Sequence, residues 1–112
     1  MVQAEVREVI GAQTEALGRG DFAGARAQAS RAYQERVPLA TFMAIISADY
    51  PYLLAQPQTD FGDCMVLADG VVLMAVTYDP GDALLYWLVR EDDRLVIDGA
   101  GPLAVSSTPV PA

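Results

Sequence analysis

The chain of 112 residues contains no histidine, no lysine and no asparagine, and its one cysteine is Cys64. Each absence removes a chemistry. Zinc sites draw on several thiolate or imidazole ligands, which one chain of this composition cannot supply. Ser-His-Asp and Cys-His arrangements lack their general base. Without lysine there is no Schiff base, no pyridoxal-phosphate anchor and no P-loop lysine. Without asparagine there is no N-linked glycosylation site. A lone cysteine forms no internal disulfide, and an inert, buried thiol accounts for Cys64. No metal and no cofactor is expected.

Cations are also scarce. Seven arginines face fifteen acids, for a net charge of -8. Arg7, Arg19, Arg26, Arg31, Arg36, Arg90 and Arg94 are scattered among carboxylates, which argues against binding to nucleic acid and to anionic membranes. Arg26, Arg31 and Arg36 could form a basic strip on one helix; a solvated helix face explains them better. Apolar runs fall far short of a membrane span. The N-terminus shows no charged-then-apolar leader, so the chain as given is expected in the cytoplasm; an exported chain trimmed of its signal peptide would look the same.

What is present is 53% hydrophobic residues in two kinds of pattern. Val2, Val6, Val9, Ile10 and Leu17 recur at helical spacing and predict a helix over 2–18, ended by Gly18 and Gly20. Asp21 is a good N-cap for a second helix over 22–34, with Phe22, Ala25, Ala29, Ala32 and Tyr33 along its stripe. Pro38 opens a third helix with Leu39, Phe42, Met43 and Ile46 on its buried face, and Pro51 stops it. Residues 52–58 read as a loop with some extended character. Strands are expected over 59–67, 71–78 and 83–90, with a fourth beginning at 94–98. They are joined at Asp69-Gly70, Asp79-Pro80-Gly81-Asp82 and Glu91-Asp92-Asp93.

The order predicts an α+β fold, three N-terminal helices packed on a four-stranded antiparallel sheet. It forms a single domain over 1–105, with a flexible tail over 106–112. Val71–Val76 and Ala83–Val89 are apolar on both parities, whereas a sheet covered on one side alternates. One face meets the helices. The other calls for a second subunit, so a homodimer through the outer face of the sheet is expected.

Two phrases carry a resemblance. Glu15-Ala-Leu-Gly-Arg-Gly-Asp-Phe-Ala-Gly-Ala25 looks like the first helix-turn-helix of the nuclear transport factor 2-like superfamily, the cystatin-like α+β cone. Tyr86-Trp-Leu-Val-Arg-Glu-Asp-Asp-Arg-Leu-Val-Ile-Asp-Gly99 looks like its last hairpin. Gln13, Phe42-Met43, Tyr50-Pro51 and Ile97-Asp98-Gly99 are similar to an uncharacterised bacterial family within it. The resemblance implies a sheet curved around helices and frequent dimerisation through the sheet. It selects no activity, since the superfamily hosts isomerases, dehydratases, cyclases, binding domains and inert partners.

A cone of this kind would hold its pocket between the helices and the concave sheet face. Gln13, Tyr33, Tyr50, Tyr52, Tyr86 and Trp87 are the candidate ligand-binding residues. A carboxylate inside such a cone has its pKa raised by desolvation, and a tyrosine beside it can stabilise an oxyanion. Asp98 with Tyr86, or Asp60 with Tyr50, would make that pair. Asp98 reads better as a strand-end residue facing water, since turn aspartates are common. Asp60 and Asp63 fall on opposite faces of an extended segment, which weakens a carboxylate dyad. Two functions follow as expectations. One is a non-catalytic dimeric domain that binds a small apolar ligand in its cone or serves as an interaction module. The other is a small isomerase, dehydratase or cyclase using an Asp/Tyr pair on a hydrophobic substrate.

Overall fold

Alternating burial along two central strands organises the molecule. A computed structural model describes residues 2–78 and 81–102; the expected tail at 106–112 and the Asp79-Pro80 half of one turn lie outside them. Four α-helices come first: α1 (Val2–Gly18), α2 (Phe22–Arg26), α3 (Arg31–Arg36) and α4 (Leu39–Asp49). A 3-10 segment, Pro51–Ala55, leads into β1 (Thr59–Val66), β2 (Val72–Tyr78), β3 (Asp82–Glu91) and β4 (Arg94–Pro102). The strands form one antiparallel sheet in the order β1-β2-β3-β4. The fold is the expected α+β arrangement, a curved open sheet with N-terminal helices on one face.

On β2 and β3 the inner positions Val72, Met74, Val76, Tyr78, Leu84, Tyr86 and Leu88 are sealed. They pack with Val6, Ile10, Ala16 and Leu17 of α1. Each large apolar side chain withdrawn in this way contributes about 1.5–3 kcal/mol. The outer positions Leu73, Ala75, Leu85, Trp87 and Val89 are only half-buried. The apolar-on-both-parities pattern therefore marks one packed face and one open one.

Helices differ from expectation in two places. The second helix is not continuous over 22–34; it breaks at 27–30. There Ala29 makes a parallel bridge to Ile97. The Ile97 amide donates to the Gln28 carbonyl at 2.9 Å, and the Ser30 amide donates to the Ile97 carbonyl at 2.8 Å. Gln28 and Ser30 exchange helical bonds for bonds to Ile97, and Ser30 restarts the helix by accepting from the Tyr33 amide at 3.0 Å. On α4, Leu39 and Met43 are 37% and 41% exposed, so the expected broad buried face shrinks to Phe42 and Ile46. One turn apart, those two suffice because α4 leans on α2 and the 3-10 segment rather than on the sheet. Residues 51–55 are 3-10 helix rather than loop because Pro51, which cannot continue α4, is well placed to begin a new turn.

Two irregularities shape the sheet. In β1 the register shifts between Phe61 and Cys64. In β4 it shifts between Ile97 and Gly99, so Asp98 is the extra residue of a bulge. Gly99 pairs with Trp87, and the indole lies so close that a Cβ at Gly99 would overlap it. The expected Asp69-Gly70 turn forms with Gly70 at φ 88°, and Asp69 Oδ1 accepts from the Val71 amide at 3.1 Å.

Candidate functional site

Between the helices and the concave sheet face lies a cavity of about 240 Å³. Phe42, Ile45 and Ile46 of α4 and Leu53 of the 3-10 segment form one side; Leu84, Ile97, Gly99 and Ala100 of the sheet form the other. Gln13, Ala29, Tyr33, Val37, Tyr50 and Tyr86 complete the wall, and among the described residues no charged side chain lines it. A cavity of about 150 Å³ with apolar walls holds benzene, so this one has room for a fused bicyclic molecule.

Four of the six expected ligand-binding residues meet here. Tyr86 is sealed at the floor, Gln13 beside it keeps 8% of its surface open, and Tyr33 and Tyr50 are half-buried. Tyr33 packs edge-on against Phe42 with centroids 6.4 Å apart. Tyr52 lies outside the wall and bridges two tyrosines, edge-on to Tyr50 at 6.3 Å and tilted on Tyr78 at 5.8 Å. Trp87 is on the outer sheet face, one parity step from Tyr86.

The candidate Asp/Tyr pairs are not brought together at this cavity. Asp98, aimed by its bulge, accepts from the Ser30 hydroxyl at 2.7 Å and is not a lining residue. Asp60 is exposed on β1 opposite Thr77. Asp63 is likewise exposed, in the β1 irregularity. Cys64 is half-buried, and burial raises its thiol pKa.

Three buried hydroxyls form a chain that sequence reasoning missed at two of its members, Thr14 and Tyr78. Thr14 Oγ1 donates to the Ile10 carbonyl at 2.9 Å, as a helical threonine often does. Tyr78 Oη lies 3.4 Å from Thr14 Oγ1 and 2.5 Å from Tyr86 Oη. A hydroxyl has one proton. Thr14 has given its own to Ile10, so Tyr78 donates to Thr14 and Tyr86 donates to Tyr78. The signal was parity: across the β2–β3 hairpin, 78, 84 and 86 share one face. Burial pushes the Tyr78 phenol up and the Tyr86 phenol well above its usual range. Tyr33 and Tyr50 are raised by the same cause, and Tyr52 to about 12.

The three arginines of the supposed basic strip have separate roles. Arg26 donates to the Val37 and Gln34 carbonyls at 2.8 and 2.6 Å, closing the end of α3. Arg31 reaches Asp92 at 3.2 Å, and Arg36 lies over the Tyr33 ring. The described residues contain no cluster of three or more metal-ligating side chains and no helix long and apolar enough to cross a membrane.

The molecule is thus an α+β domain of helices on an antiparallel sheet, with an apolar cavity between the layers. The family described as Domain of unknown function (DUF4864) matches residues 1–104, and the chain belongs to that family. No curated protein and no solved structure matches the chain.

Proposed function

We propose that the protein is a homodimeric, nuclear transport factor 2-like binding domain that holds a small apolar molecule in the cavity under α4. The observation that carries this reading is the wall itself: aliphatic and aromatic side chains with a few convergent polar groups and no charge among the described residues. That is the usual composition of a small-molecule site. The proton-transfer alternative has less support, since neither Asp98 nor Asp60 lines the cavity. Helices followed by a curved sheet in the order 1-2-3-4 support the superfamily assignment. The uncharged outer positions Leu73, Ala75, Leu85, Trp87 and Val89 support a second copy as the cover for that face.

Naphthalene tests the cavity. Titrated into isotope-labelled protein, it should give saturable amide shifts centred on Ala29, Phe42, Ile46 and Ile97. Absence of saturation, or shifts centred on Leu73 and Leu85, would refute the reading.

A further inference from the structure

The donors and acceptors on the cavity floor specify the head group of the ligand, an inference that rests on the cavity being a ligand site. Gln13 donates from Nε2 to the Ala25 carbonyl at 3.2 Å, which fixes the orientation of its amide because a carbonyl accepts only from the nitrogen side. Gln13 Oε1 and the second Nε2 proton are left uncommitted. Every fully sealed side-chain nitrogen or oxygen among the described residues has a partner, so Oε1 is open to the cavity it borders. On the donor order that Thr14 sets, the Tyr86 proton goes to Tyr78. An apolar occupant that expels water from the floor would leave the Gln13 carbonyl unpaired, the more expensive way to bury a polar atom. A carboxylate would meet that oxygen with no cation in the described wall to offset it.

We propose that the cavity takes a neutral, fused-ring-sized apolar molecule bearing one hydroxyl or N–H donor, which it gives to Gln13 Oε1. A hydroxyl oxygen could also receive the remaining Nε2 proton. Ethers and ketones of the same shape leave Oε1 dry and bind more weakly.

Indole and benzofuran separate these cases, because they share a shape and differ in one N–H. Titrated into the wild-type protein and followed by the Ala29 and Ile97 amides, indole should bind about tenfold tighter than benzofuran. The Gln13 side-chain amide resonances should move with indole alone. Gln13→Met should bring the ratio of the two affinities to about one, and a ratio within one protein is insensitive to a general loss of stability. Equal binding of the two by the wild type, or a preference that survives Gln13→Met, overturns the inference and leaves the cavity reading intact. Failure of both probes to bind refutes the cavity reading, and the inference with it.

Discussion

The Ser30 hydroxyl donates to Asp98 Oδ1 at 2.7 Å while accepting from the Tyr33 amide at 3.0 Å. One side chain thereby starts α3, holds the β4 bulge and anchors the cavity wall between Ala29 and Tyr33. Ser30→Ala removes both bonds and should cost about 1–3 kcal/mol in urea denaturation. Asp98→Ala leaves the cap in place and should cost less. The reverse ranking would place the anchor in Asp98 rather than in the cap.

The hydroxyl chain predicts an asymmetry between two tyrosines. Tyr86→Phe removes the terminal donor and leaves the Tyr78-to-Thr14 bond intact. Tyr78→Phe removes the middle member, so the Tyr86 proton loses its acceptor inside the core. Tyr78→Phe should therefore destabilise by about 1–3 kcal/mol and Tyr86→Phe by about 1 kcal/mol or less, read from denaturation midpoints at constant m-value. Equal costs would mean that the protons are ordered otherwise.

Strand pairing, the order of helices and strands and the Asp69-Gly70 turn were legible because alternation and Asx-Gly signals are local. The break at 27–30 was not. Ala27, Gln28 and Ala29 are good helix formers, and what ends the helix there is the backbone of Ile97 on the last strand, which takes the bonds of Gln28 and Ser30. Four cavity residues were found because Gln13, Tyr33, Tyr50 and Tyr86 are polar or half-polar groups on otherwise apolar stretches. Trp87 was drawn in with them because both parities of β3 are apolar, which leaves no sequence cue to which face is inward. Tyr78 was passed over for a related reason: its partners lie on α1 and β3, and only the folded sheet brings them within reach.

Phenols shifted upward by burial make the fold sensitive to base. The unfolded chain releases tyrosine protons near pH 10.0, whereas folded Tyr33, Tyr50, Tyr78 and Tyr86 hold theirs higher and Tyr52 to about 12. Their contribution is fully present below pH 10.0 and is lost as pH rises through each folded value, which for Tyr52 is about 12. Tyrosinate absorbance should rise together with loss of the near-ultraviolet circular dichroism signal, and free-tyrosine titration in a still-folded protein would contradict this. At the acid end the sign reverses. The Arg90 guanidinium beside Glu5 holds that carboxyl below its usual value, so its stabilisation is present above the unfolded value and fades as pH falls through the folded one.

The outer sheet face gives the proposed dimer its sharpest test. Leu73 pairs with Trp87 and Ala75 with Leu85, so an apolar patch runs across the two central strands. In a two-fold dimer the same patch meets itself, and a charge placed there is met by its own copy or buried against apolar surface. Leu85 is half-buried and faces away from the core, so Leu85→Arg should leave the fold intact. Light scattering on the wild type should return twice the chain mass at micromolar concentration, and Leu85→Arg should return the single-chain mass with an unchanged far-ultraviolet spectrum. A wild type that runs at the single-chain mass would refute the dimer outright. A Leu85→Arg protein that stays at twice the mass would move the interface off this face, and the exposed Met65 and Val66 on the β1 edge would then be the next surface to substitute.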